Sequence, residues 1–118
     1  MQYTLYTLLI YSNEVAMQNA SKKDRDDILA AYNAYSEAMQ KAGVIRGGAR
    51  LRPSGMSTTV RAENGKTKVL NGPYAETKEQ IGGYFVIEVP DLDAALSWAA
   101  RRPGASYGAV EVRPDWPM

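Results

Sequence analysis

The chain contains no cysteine and no histidine, and its 118 residues include a single phenylalanine. Without cysteine there is neither a disulfide framework nor a thiol nucleophile, which fits a reducing compartment. Without histidine, a Ser-His-Asp triad, a proximal histidine on haem and a histidine-based zinc site are all excluded. Charge of one sign is also missing: 14 Lys and Arg stand against 13 Asp and Glu, for a net charge of +1. Such a chain has no global field to draw in nucleic acid or an anionic membrane. No apolar run approaches the length of a membrane span, and the apolar start, alternating with Thr and lacking a basic leader, reads as a strand and not as a signal peptide. A cytoplasmic protein is the expectation.

What is present describes one ordinary domain over residues 1–118, with an apolar fraction of 45%. Residues 3–11 alternate Tyr3, Leu5, Leu9 and Tyr11 on one face with Tyr6, Leu8 and Ile10 on the other, as in a central strand covered on both sides. Residues 13–20 carry no clear period and read as a connection. Ser21 offers an N-cap, and Ile28, Tyr32, Tyr35 and Met39 then recur at helical spacing until Gly43. Residues 44–52 read as a strand with Ile45, Ala49 and Leu51 on one face and Arg46, Arg50 and Arg52 on the other. A hairpin follows over residues 57–70, with Asn64-Gly65 supplying the positive-φ pair of a type I′ turn.

Gly82-Gly83 precedes a strand over residues 84–89, apolar on both faces apart from Glu88. Pro90-Asp91 then caps a helix whose stripe is Leu92, Ala95, Leu96 and Ala99, with Trp98 off it and available to a partner subunit, as is Trp116. Pro103-Gly104 ends it, and residues 107–113 form a last strand with Val110 and Val112 on one side. Without its hairpin the order is βαββαβ, an α+β, ferredoxin-like antiparallel sheet with both helices on one face. The other face is left bare although two of its strands are apolar on both sides. A second copy packed sheet on sheet is the economical cover.

The stretch Asn71-Gly72-Pro73-Tyr74-Ala75-Glu76-Thr77-Lys78-Glu79-Gln80-Ile81-Gly82-Gly83-Tyr84 resembles the motif that names the DGPF branch of the YCII-related proteins. The similarity runs from Leu9-Ile10-Tyr11 to Gly108-Ala109-Val110-Glu111-Val112-Arg113-Pro114. It implies a ferredoxin-like fold with an inserted hairpin, assembled as a dimeric α+β barrel. It also implies a setting beside extracytoplasmic-function sigma factors for some members and a His-Asp catalytic pair for some relatives. This chain departs from the pattern, with no histidine, Asn71 where the motif has Asp, and Tyr74 where it has Phe.

Asn71-Gly72-Pro73-Tyr74 has the chemistry of a tight turn, and such a turn would present Asn71, Tyr74 and Glu76 at the mouth of a cleft. Asn cannot act as the general base that Asp would supply, which moves weight from catalysis toward binding. Glu76 and Tyr74 are the candidates for acid-base work, while residues 75–80 otherwise read as a solvated polar run. Tyr11 and Tyr84 could line the same cleft. Arg46, Arg50, Glu88, Glu111 and Arg113 fall on the face away from the helices. There they would form salt bridges that set dimer register, or Arg113 and Arg46 would bind an anion. No phosphate loop, cofactor or metal is expected, since Gly47-Gly48 and Gly82-Gly83 lack the strand-to-helix context of a nucleotide motif. The expected function is a dimeric small-molecule-binding protein, with histidine-independent acid-base catalysis within its means. The alternative is a non-catalytic regulatory or interaction protein linked to a sigma factor.

Overall fold

A computed structural model describes residues 3–103 and 108–117. Among the described residues six strands and three α-helices follow in the order β1 (Thr4–Asn13), α1 (Glu14–Gln18), α2 (Lys22–Lys41), β2 (Ile45–Arg50), β3 (Thr58–Glu63), β4 (Lys66–Asn71), β5 (Glu79–Val89), α3 (Leu92–Ala100) and β6 (Gly108–Pro114). Four strands form an antiparallel sheet in the order β2-β5-β1-β6, and β3-β4 form a separate hairpin. This is the ferredoxin-like α+β arrangement with an inserted hairpin.

The two periods of the sequence meet on one side of the sheet. Tyr6, Leu8, Ile87 and Val89 point to the helices and are buried against Tyr35 and Met39 of α2 and Ala95 of α3. Tyr35 also donates its hydroxyl to the Trp98 carbonyl at 2.6 Å, fastening α2 to α3. Its ring meets Tyr32, Phe85 and Trp98 edge-on. The helices begin where side-chain oxygens satisfy their first amides: Ser21 accepts from Asp24 N, Asn13 from Ala16 N and Asp91 from Ala94 N.

Several expectations are corrected. Residues 13–20 are not a plain connection, because Asn13 caps the short α1. β5 starts at Glu79, five residues before Tyr84, and Gly82-Gly83 lie within it at a bulge opposite Ile10 and Tyr11. The close approach explains the glycine there: a Cβ on Gly83 would stand 2.8 Å from the Ala49 carbonyl oxygen. In β2 a second bulge, between Ile45 and Gly47, breaks the alternation on which the face assignment rested. Ile45 stays opposite Ile87 on the helix side, Ala49 moves opposite Tyr84 on the other, and Arg50 pairs with Gly83 on the helix side. Arg52 lies beyond the strand. On α3 the buried stripe is rotated: Leu92 and Leu96 are exposed, while Ala94, Trp98 and Ala99 pack against the core. Trp98 therefore serves its own core. The expected start of the last strand at Tyr107 and the glycine of Pro103-Gly104 lie outside the described residues.

The face away from the helices carries Leu5, Thr7, Leu9 and Tyr11 from β1, with Tyr84 and Val86 from β5 beside them. Among the described residues the core helices all lie on the opposite face, and this one meets only the tail, where Thr7 donates to Asp115 at 2.7 Å, and the hairpin root beside Tyr11. The molecule is accordingly thin, measuring 47 × 42 × 18 Å, with a radius of gyration of 16.2 Å. A compact chain of this length has a radius near ~13 Å.

Candidate functional site

Near one end of the bare sheet face, the cross-strand pair Tyr11 and Ile81, two residues short of the Asn13–Glu79 pair at the α1 junction, floors a cavity of about 670 Å³ together with Leu51 and Glu79. The floor is held by the main sheet and by Leu51 N donating to the Gly82 carbonyl at 2.9 Å. One wall is the turn Ser54–Met56. Glu14, the first residue of α1, fixes that turn by accepting from Ser54 N at 2.7 Å and from Ser54 Oγ at 2.5 Å. Asn13, Glu14 and Ser54 thus form a chain of command from strand end to helix start to cavity wall.

The opposite wall is the root of the hairpin and the segment that leaves it. Gly72 N donates to the Ser57 carbonyl at 2.7 Å, and Thr59 Oγ1 to the Gly72 carbonyl at 2.8 Å. Gly72 has a φ of 106°, which only glycine adopts without strain, and this turns the chain from β4 toward Pro73 and Tyr74. The Arg61 guanidinium covers the Tyr74 ring at 4.9 Å. Gln80 ties the rim by donating Nε2 to the carbonyls of Ala75 and Thr77 at 2.8 and 3.0 Å.

The lining residues fall into two groups. Ser54, Thr59, Thr77 and Gln80 spend their side chains on holding the walls. Among the described residues, the hydroxyls of Tyr11, Ser57 and Tyr74, the Arg52 guanidinium and the Glu79 carboxylate line the cavity with no hydrogen bond or ion pair. Apolar surface from Leu51, Pro53, Met56, Pro73 and Ile81 separates them. Tyr74 and Met56 are 76% and 64% exposed, so this is an open cleft; its aromatic and aliphatic lining with a few unspent polar groups is the usual make-up of a small-molecule site. Tyr and Glu are the acid-base groups it offers.

Of the six residues singled out from sequence, only Tyr11 and Tyr74 share this cavity. Glu76 lines a neighbouring hollow of about 340 Å³ with Glu14, Val15 and Lys78, which shares Ser54, Pro73, Thr77 and Gln80 with the first. Asn71 is opposite Thr58 on the hairpin face turned away from the cavity, and Tyr84 stands further along the sheet. Arg46 and Arg113 are also outside it. Arg46 lies 3.7 Å from Glu88, and Arg113 pairs with Glu111 at 2.5 Å. Among the described residues no three carboxylates gather in a way that could hold a metal ion.

Sequence reasoning passed over Arg52, Ser57 and Glu79. By alternation Arg52 falls in a strand, but the β2 bulge breaks that alternation, and Glu79 sits within the polar run 75–80. The signal was the Pro53 immediately after Arg52, which ends a strand and delivers the preceding side chain to a turn.

A family model described as the YCII-related domain matches residues 4–118. An uncharacterized protein of Rhizobium meliloti (strain 1021) is 37% identical over 112 residues, covering 93% of this chain and 90% of the relative.

Proposed function

The chain belongs to the YCII-related domain family, and from that premise we propose that it works as a homodimer that binds a small polar or aromatic molecule in the cavity above Tyr11 and Ile81. The single observation that carries this reading is the set of unspent groups, Tyr11, Arg52, Ser57, Tyr74 and Glu79, around one apolar-walled space. A ligand there would stack on a tyrosine ring, satisfy the guanidinium with an acidic or carbonyl oxygen, and leave Glu79 and the tyrosine hydroxyls as the groups able to move a proton.

The dimer is supported by the bare sheet face. Leu5, Leu9, Tyr84 and Val86 form an apolar strip along it, flanked by the Arg46–Glu88 and Arg113–Glu111 pairs. Each pair is internally neutral, so two copies meet without like-charge repulsion, and the pairs set the register of one sheet on the other. The cavity opens onto the same face, so the second copy would also close it from solvent.

Thermal-shift screening of small aromatic and polar acids against the wild type, followed by titration of the hits into Tyr74→Ala and Arg52→Ala, tests the siting. Loss of about tenfold or more in affinity in both variants is expected. Hits that bind both variants as tightly as the wild type would place the ligand elsewhere. Ala49→Arg, on the bare face opposite Tyr84, tests the dimer: it should convert a two-chain mass in sedimentation to a one-chain mass.

A further inference from the structure

The hairpin has a pattern that its surroundings do not explain. Its register puts Thr58, Val60 and Ala62 opposite Asn71, Val69 and Thr67 on one face. Thr59, Arg61 and Glu63 stand opposite Leu70, Lys68 and Lys66 on the other. One face is thus wholly uncharged, while the other holds every charged residue of the two strands, including the Lys68–Glu63 bridge of 2.7 Å. Such alternation is that of a sheet with one face buried and one in water. The charged face is accounted for, since Thr59 lines the cavity and Arg61 covers Tyr74. The uncharged face turns away from the cavity and none of the described residues covers it: the cross-strand pair Val60 and Val69 is 63% exposed at each residue. Among the described residues β3 and β4 pack chiefly on each other. A lone two-stranded hairpin is at best marginal in water.

We propose that the β3-β4 hairpin is a dimerisation arm, whose uncharged face of Thr58, Val60, Ala62, Thr67 and Val69 docks on a second copy of this chain. The inference rests on the sheet-to-sheet dimer proposed above and extends it. The surface to be buried favours a copy of the chain as the occupant. The accessible area is 8503 Å² for 13.0 kDa, roughly 2,200 Å² more than a compact monomer of that mass exposes. A standard interface takes only about 800 Å² from each partner, so the sheet face and the arm together supply the area of an extensive dimer. The arm is also continuous with the sheet face, because its root, Ser57 and Thr59, walls the cavity that opens there. Docking of the arm would therefore order a wall of the ligand site, which makes ligand binding and dimerisation mutually reinforcing.

The test uses the full chain with Val60→Asp and Val69→Asp combined, beside Lys66→Ser and Lys68→Ser on the opposite face. Sedimentation equilibrium from about 1 to 100 µM should give a two-chain mass for the wild type and for the lysine variant. The valine variant should dissociate at least about 100-fold more readily with unchanged far-UV circular dichroism. A second measurement does not depend on a disruptive change. In this cysteine-free chain, Val69→Cys should react with a maleimide about tenfold more slowly at dimer-forming concentration than when diluted. A wild-type dimer that persists unchanged in the valine variant, or a thiol that reacts equally fast at both concentrations, overturns the arm while leaving the sheet dimer standing. A wild type that stays at one-chain mass throughout overturns both.

Discussion

Tyr35 shows how much one side chain carries in a molecule with a small core. It is buried, bonds across to the Trp98 carbonyl and meets three aromatic rings. Burial and the neighbouring Tyr32 push its hydroxyl up to about 12 from the usual 10.0, with Arg101 and Arg102 opposing weakly. A phenol whose folded value is raised contributes stability that is complete below its unfolded value and is lost as pH rises through the folded one. The window is therefore pH 10 to 12, and the loss should be on the order of 2 kcal/mol. Urea midpoints at either side of that window should fall more steeply for the wild type than for Tyr35→Phe. The variant itself should cost about 1 kcal/mol at neutral pH for the missing hydrogen bond. Gly48 is a second such residue: it has a φ of 152° and a Cβ there would stand 2.6 Å from the Tyr84 carbonyl oxygen. Gly48→Ala should destabilise by at least about 2 kcal/mol in chemical denaturation, because the bulge must open or the edge strand must shift.

Among the elements, α1 is small but consequential, since Glu14 reaches from it to hold the turn Ser54–Met56 by two short hydrogen bonds. Glu14→Ala should cost about 1 to 2 kcal/mol in unfolding free energy and weaken ligand hits in the cavity, although Glu14 does not line that cavity. Asp91→Ala, by contrast, should cost about 1 kcal/mol through the lost cap on α3 and leave ligand affinity alone, as calorimetric titration would show. Elements with a clean period were legible in the sequence: β1 from its alternation, α2 from Ser21, Tyr35 and Met39, and the hairpin from Asn64-Gly65, whose φ angles are 50° and 76°. Elements with bulges were not. A bulge inserts one residue and exchanges the faces beyond it, which is why Arg50 lies on the helix side and why the unspent cation of the cavity is Arg52. The rotated stripe of α3 has a different cause. Leu92 and Leu96 satisfy the helical period as well as Ala94 and Trp98 do, and the large Trp98 ring against Tyr35 decides which set faces inward. For the site, the tyrosines were legible as aromatics near a turn, whereas Glu79 and Ser57 depend on how the hairpin root folds back on β5, a long-range arrangement with no local period.

At the scale of the whole molecule, the fold has one helical layer on a four-stranded sheet, and its buried core is confined to that single contact. Compounds that enter the cavity should raise the two-chain fraction in sedimentation, and dimer-weakening substitutions should lower their affinity by a matching factor. That reciprocity is measurable with Ala49→Arg, which lies on the bare face and outside the cavity lining.

The 18 Å thickness of the chain has a consequence for its life in solution. In the proposed dimer a protomer this thin would take much of its stability from association, so its folded fraction would follow its own abundance and dilution would act on it as a denaturant does. The thermal midpoint should climb by about 2 to 4 °C for each tenfold rise in protein concentration. Synthesis level would then be a control on the folded population in its own right, with newly made chains stabilised by those already present.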